Sequence, residues 1–323
     1  MICPKPLSVV QNKEIKWLWK PFIPYGKVTL LQGDTGIGKT SLVIKLIADL
    51  SRGLYPPTMF QRKLLPQQSG EPVMSYYVTI ENGMDDTIAP MFDLFGGDRS
   101  YVQFQDEEQG HFSLCGEEIE ACAKMTGAKL IIIDPWQQFL EHGSSSDNIA
   151  MRKMVCDVQA AAERTGTAVV LAGNYTKNLG SDLRRGIGGS ELNNTLRSIL
   201  TIQDDPNGDP ALRILRATKM SLLGKEMSPV GIRMTQEGQI VYEDYEQDEA
   251  EGLFAPDDTE ASLTPVGFLQ RALSGGPVDS QEIRRPANEA GISMNTVYRN
   301  RDHAGVTIER QSDKSSVWRL SNQ

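Results

Sequence analysis

No apolar run in the sequence approaches the ~18 residues that a membrane-spanning helix needs. Tight runs such as Leu130–Ile133 are far shorter, so no membrane partner is expected. Cysteine is scarce: Cys3, Cys115, Cys122 and Cys156 form no Cys-x-x-Cys pair. A chain of 323 residues needs no disulfide framework, so reduced thiols in a cytoplasm are the plain expectation and zinc is not expected. The start, MICPKPLSVV, lacks the basic residues and long apolar stretch of a secretory signal. No internal repeat is visible.

An excess of positive charge is lacking too. The formal net charge is −9, and residues 243–260 alone hold nine acids with no Lys or Arg. Residues 1–242 carry 25 basic and 27 acidic groups, and residues 261–323 carry 8 and 6. A surface that coats nucleic acid by charge along its whole length is thereby excluded. What the charge does outline is an architecture. It gives a large, nearly neutral part over 1–242, an acidic linker over 243–262 and a small, slightly basic domain over 263–323. At 39% hydrophobic and 23% charged residues, the chain reads as an ordinary folded protein of about two domains.

What is present in the large part is an alternation. Val28–Leu31 reads as a short buried strand, followed by a glycine-rich turn and a helix with Leu42, Val43, Leu46, Ile47 and Leu50 at helical spacing. Further buried-strand candidates are Met74–Ile80, Leu130–Asp134, Ala168–Gly173, Ser198–Ile202 and Leu212–Ala217. A helix is expected over about 148–165, with Met151, Val155, Val158 and Ala162 on one face. Strands alternating with helices predict an α/β domain on a largely parallel sheet, closed by a hairpin over 230–242. Loops are expected at 51–72, 142–148 and about 176–190.

The sharpest signal is Gly33-Asp34-Thr35-Gly36-Ile37-Gly38-Lys39-Thr40, a G-x-x-x-x-G-K-[ST] phosphate loop between a strand and a helix. The glycines let backbone N–H groups turn toward phosphate oxygens, and the positive end of the helix, where Ser41 follows, reinforces the site. Lys39 is expected to reach the β and γ phosphates of ATP, and the Thr40 hydroxyl to bind Mg²⁺. Asp134, at the exit of the apolar run 130–133, is the expected Walker B acid, holding Mg²⁺ through water. Glu81, after the strand candidate Met74–Ile80, is the candidate general base.

These features in order resemble RecA-type ATPases, specifically the group of plasmid RepA replicative helicases and related ATPases of phages and mobile elements. The match rests on Trp17–Pro21 and Pro24-Tyr25-Gly26 before the first strand, the phosphate loop, and Tyr77–Asn82 with Asp85–Pro90 after it. Asp134-Pro135, Val169–Gly173 and Lys177 continue it, over roughly residues 15–242. The resemblance implies a RecA-like P-loop core that assembles into rings or filaments, with ATP between neighbours. It makes Glu81 the catalytic carboxylate and Asn174 the sensor of the γ phosphate, where relatives often have His. It implies a cation from the neighbour that stabilises transition-state charge, with Lys219 the first candidate, then Arg216 and Arg197. Lys177, Arg184 and Arg185 on the loop 176–190 would line a central hole and meet single-stranded DNA, a solvated lid being the alternative.

The small domain reads as helix (Pro265–Ser274), second helix (Gln281–Ala290, capped by Ser280 and Gly291), third helix to Gly305, and a hairpin of Val306–Arg310 and Ser316–Leu320. This α+β pattern resembles a winged helix, a module with which related ATPases often end. Asn295, Thr296, Arg299 and Arg301 would then face duplex DNA, with Lys314 on the wing, protein contact being the alternative. The function expected is a Mg²⁺-dependent ATPase acting on DNA as a replicative helicase or helicase-like factor. A nucleotide-switched regulator or an ATP-dependent assembly protein without unwinding remain alternatives.

Overall fold

The computed structural model describes residues 6–9, 14–60, 63–81, 83–105, 110–140, 148–174, 195–223, 227–245, 265–273, 276–279, 283, 287, 297–298, 301, 304–310 and 316–320. The chain divides into two compact units, Met1–Glu246 and Gln247–Gln323. Among the described residues no helix is long and apolar enough to cross a membrane.

The first unit opens with a small ladder of β1 (Trp17–Trp19) and β2 (Ile23–Pro24). Then come β3 (Val28–Gly33) and α1 (Lys39–Ser51), followed by four two-residue strands: β4 (Leu54–Tyr55), β5 (Met59–Phe60), β6 (Lys63–Leu64) and β7 (Gln68–Ser69). The core continues through β8 (Ser75–Val78), α2 (Ala89–Leu94), β9 (Val102–Phe104), α3 (Gly116–Thr126) and β10 (Leu130–Ile133). It ends with α4 (Asn148–Thr165), β11 (Ala168–Asn174), β12 (Ser198–Asp204), β13 (Leu212–Met220), β14 (Val230–Met234) and β15 (Ile240–Asp244).

Nine strands form one sheet in the order β15-β14-β13-β12-β3-β11-β10-β8-β9. From β9 to β12 every pairing is parallel; β12 to β15 pair antiparallel. The α/β class with a largely parallel sheet is therefore what the chain adopts. The strand period of two explains why continuous apolar runs suit it. Leu130 and Ile132 pack in the core shared with α1 and α2, whereas Ile131 and Ile133 pack in the core shared with α3 and α4. Helix α1 buries Leu42, Val43, Leu46, Ile47 and Leu50, and α4 buries Met151, Val155, Val158 and Ala162, as their spacings require.

Three expectations are corrected. Strand β8 ends at Val78, not Ile80, because both its neighbours stop there: Val78 pairs with Ile133, and the last β9 partner, Phe104, faces Tyr77. Ile80 is consequently exposed. The segment 51–72 is not a plain loop, since β4 pairs with β7 and β5 with β6. The closing hairpin runs on to Asp244, which makes the first two of the nine acids sheet residues. Glu243 accepts from Arg233 at 2.7 Å, and Asp244 Oδ1 accepts from the Leu64 N–H at 2.6 Å. Strand β9 and helix α3 carry no pattern that the sequence discloses. The loop expected at 142–148 lies almost wholly outside the described residues, and the one at 176–190 entirely so.

The second unit holds α5 (Pro265–Ala272) and a three-stranded antiparallel sheet of β16 (Val278–Asp279), β17 (Val306–Arg310) and β18 (Ser316–Leu320), in the order β16-β18-β17. The β17–β18 hairpin has the expected bounds, while Val278–Asp279 is a strand that the sequence did not disclose. Its core gathers Phe268, Leu269, Leu273, Ile283, Ala287, Val297, Ala304, Val306 and Trp318. Ile283, Ala287, Val297 and Tyr298 are helical; Arg301 and Ala304, expected in the last turn of the third helix, lie in a turn instead, and the other residues of the two expected helices lie outside the described residues.

A buried ion cluster ties the segment after α1 to the core. The Asp49 side chain is 1% exposed and accepts from Lys45 Nζ through both oxygens at 2.7 Å, from Arg52 at 3.0 Å and from Gln67 at 3.1 Å. Removing one member of such a cluster leaves a buried charge without its counterpart. Asp49→Ala should therefore lower unfolding stability by about 3–5 kcal/mol in urea titration, and Asp49→Asn by less.

Candidate active site

Because β3, β11, β10 and β8 run parallel and adjacent, their carboxyl ends open on one side of the sheet. That arrangement, and not proximity in sequence, brings four segments together. The phosphate loop leaves β3 at Gly33 and enters α1 at Lys39. Gly36 and Gly38 have φ of 80° and 101°, the left-handed region, and a Cβ at either would still meet only open space. The requirement there is conformational. Gly38 caps α1, and the first amides of the helix have no partner within it. Asp34, Thr35 and Gly36 are exposed, Ile37 packs in the core, and Ser41 is half-buried.

Lys39 is buried, and its ammonium donates to the carbonyls of Gly33 at 3.1 Å and Asp34 at 2.8 Å. Burial lowers its pKa from the ordinary lysine value, opposed by the negative charges of Asp134, Asp34 and Glu81. Asp134 is 4% exposed. Its Oδ2 accepts from the Thr40 hydroxyl at 2.8 Å and the Tyr77 hydroxyl at 3.3 Å, and its N–H donates to the Val78 carbonyl at 2.9 Å. Burial raises its carboxyl pKa above the ordinary range; the Thr40 and Tyr77 hydrogen bonds and Lys39 oppose that.

Glu81 is exposed, three residues past the end of β8, and its Oε1 accepts from Gln138 Nε2 at 2.7 Å. Just beyond it, Met84–Ile88 forms a single π-helical turn, closed by the Ile88 N–H on the Gly83 carbonyl at 3.1 Å. Asn174 ends β11, half-buried, paired with Gly33 of the phosphate loop, and its carbonyl accepts from Gln137 Nε2 at 3.2 Å. So the structure gathers Lys39, Thr40, Asp134, Glu81 and Asn174 at one edge.

Of the remaining expected residues, Arg216, Lys219 and Arg197 stand apart from it. Arg216 and Lys219 lie on β13, half-buried and opposite Thr201 and Ile199, with β12 between them and β3. Arg197 is exposed just before β12. Burial is the first cause of a lowered Lys219 pKa, and the Arg197 charge adds to it. Lys177, Arg184, Arg185, Asn295, Thr296, Arg299 and Lys314 lie outside the described residues. Arg301 is half-buried in a turn whose carbonyl accepts from the N–H groups of Ala304 and Val306.

The donor set suits Mg²⁺. That ion is usually held by one or two carboxylates with phosphate oxygens and water, not by an all-protein cage. Among the described residues no cluster of three or more His, Cys, Asp or Glu side chains exists. The buried Asp134 carboxylate receives hydroxyl protons but no direct bond from a cation, and Thr40, having given its proton, keeps lone pairs for one. Sequence reasoning missed Tyr77, Gln137 and Gln138. The only signal for the glutamines was their place directly after Asp134, between the aromatic residues Trp136 and Phe139.

Residues 7–178 match the family model of the AAA domain. The chain belongs to that family. It is accordingly an ATPase, and Gly33–Thr40 is its P-loop. Among solved structures, a KaiC-like protein of the hyperthermophilic archaeon Pyrococcus horikoshii OT3 is 16% identical, with a TM-score of 0.49, covering 71% of this chain and 99% of that one. Comparison of the sequence with curated proteins gives no match.

The raised Asp134 pKa has a consequence for stability. A carboxyl whose folded pKa lies above its unfolded value is fully compatible with folding below that unfolded value, and costs stability as pH rises through the folded one. Asp134→Asn should thus raise the melting temperature of the nucleotide-free protein at pH 7. The gain over wild type should vanish as pH falls below the ordinary Asp range of about 4. Thermal melts of both proteins across pH check this.

Proposed function

We propose that this ATPase is a Mg²⁺-dependent motor acting on DNA, a replicative helicase or helicase-like factor of the plasmid, phage and mobile-element type. The observation that carries the catalytic half is the 2.8 Å hydrogen bond from Thr40 to Asp134, made beside the phosphate loop and across 94 residues of sequence. In this reading the loop amides and Lys39 hold the β and γ phosphates of ATP, the ammonium leaving the Gly33 and Asp34 carbonyls to do so. Thr40 and Asp134 would hold Mg²⁺, which supplies neutralisation of phosphate charge when bound. Glu81 takes the proton of the attacking water, and Asn174 hydrogen-bonds the γ phosphate or that water.

The DNA half rests on the ordered resemblance along residues 15–242 and on the make-up of the second unit. That unit combines helix α5, helical positions at Ile283, Ala287 and Val297, and a three-stranded sheet closed on Trp318, a make-up that supports the winged-helix reading. We assign single-strand contact to Lys177, Arg184 and Arg185. Duplex contact falls to Asn295, Thr296, Arg299, Arg301 and Lys314. Lys219 or Arg216, two strands removed from its own loop, would serve a neighbour's nucleotide in a ring of identical subunits.

A forked-duplex assay tests the reading. Wild-type protein should hydrolyse ATP faster with single-stranded DNA and separate the fork. Glu81→Gln should abolish both while keeping ATP binding, and Lys39→Ala should lose binding. Wild-type hydrolysis by Lys39→Ala would show the site to be misassigned. Tight binding of one duplex sequence without strand separation would replace the motor by a nucleotide-switched regulator.

A further inference from the structure

Asp134 leads through Pro135 into one 3₁₀ turn, Trp136–Phe139. Both ends of the turn are anchored. Trp136 and Phe139 are 1% and 4% exposed, in the core beneath α3 and α4. The Phe139 carbonyl also accepts from the Leu114 N–H at 3.0 Å, and its ring meets Phe112 edge-on at 5.6 Å. The two residues between these anchors are both glutamines, and each reaches a different part of the site. Gln138 Nε2 donates to Glu81 Oε1 at 2.7 Å, and Gln137 Nε2 donates to the Asn174 carbonyl at 3.2 Å.

The fit of Gln137 is close. A Cβ on Gly173 would stand 2.4 Å from its amide nitrogen, 2.5 Å from its amide oxygen and 2.6 Å from Trp136 Nε1. Its Oε1 is buried without a hydrogen-bond partner, a cost that simple packing would avoid. Through this turn, five consecutive residues touch three parts of the site: Asp134 the phosphate-loop Thr40, Gln138 Glu81, and Gln137 the strand end at Asn174.

Glu81 needs such a hold. It is exposed and stands on a stretch past the end of β8, where no ladder partner fixes the backbone. A general base must lie within hydrogen-bond reach of its proton, and a displacement of about 1 Å can cost of order 10²-fold in rate. An amide suits the task. It donates to one carboxylate oxygen and leaves the other for water, without bringing a positive charge that would weaken the carboxylate as a base.

We propose that Gln138 is the positioning residue for Glu81, and that Gln137 joins the same turn to the strand end at Asn174, so that base and sensor are set by one rigid element. The proposal rests on Glu81 being the water-activating carboxylate. The test compares Gln138→Ala, Gln138→Glu and Glu81→Gln in the full chain at saturating Mg²⁺. It measures steady-state ATP hydrolysis, binding of a fluorescent ATP analogue, and thermal melting.

Gln138→Ala should lower kcat by about tenfold while KM, analogue binding and melting temperature stay as in wild type. Gln138→Glu, which sets a like charge against Glu81, should fall further. An unchanged or raised kcat in Gln138→Ala, with Glu81→Gln inactive, overturns the positioning role and leaves the Glu81 assignment standing. A loss shared with KM or melting temperature overturns it as well, since that marks a structural contact. Wild-type hydrolysis by Glu81→Gln removes the base assignment itself, and the positioning role with it.

Discussion

The contact on which the site depends is the hydrogen bond between the Thr40 hydroxyl and the buried Asp134 carboxylate. It joins the first turn of α1 to the end of β10, and so brings the helix terminus behind the phosphate loop against a carboxylate that burial penalises. Tyr77 and the Val78 carbonyl hold the same aspartate from β8. Asp134 is thus a joint between helix α1 and the ends of strands β8 and β10. An aspartate that water could reach would be cheaper to keep and less firmly placed.

The sheet makes this contact possible. Six adjacent parallel strands put the candidate site residues on one edge, and the helices on its two faces supply the apolar cover that such a sheet requires. The segment after α1 is drawn onto the same framework by Asp49 and by the bond from Leu64 to Asp244. Those contacts give the proline-rich stretch short ladders where composition suggested only a loop. The same hairpin takes Glu243 and Asp244, two of the nine acids, into the sheet.

Much of the core was legible, and the misses share a cause. Helix α4 has the expected bounds and the strand expected over Leu130–Asp134 stops one residue short, because each is long or apolar enough to carry its own period. Strand β9 has three residues, too few for a pattern, and α3 buries chiefly Ile119, Cys122 and Ala123 along an otherwise polar sequence. The overlong reading of β8 shows the limit of apolar runs. Thr79 and Ile80 continue the composition of a strand, but a strand ends where its neighbours end. The same reasoning explains the glutamines after Asp134, which look like solvated residues until β8 and β11 place Glu81 and Asn174 beside them.

The sequence by itself determined the phosphate loop, since the glycine, lysine and threonine spacing of 33–40 is a local requirement of backbone wrapping. It also determined the α/β class, through alternating buried runs and helical periods. Tertiary structure alone decided which side chains meet. Glu81 reaches Gln138 across 57 residues, and Thr40 reaches Asp134 across 94. Strand order, which no local pattern encodes, sets those distances.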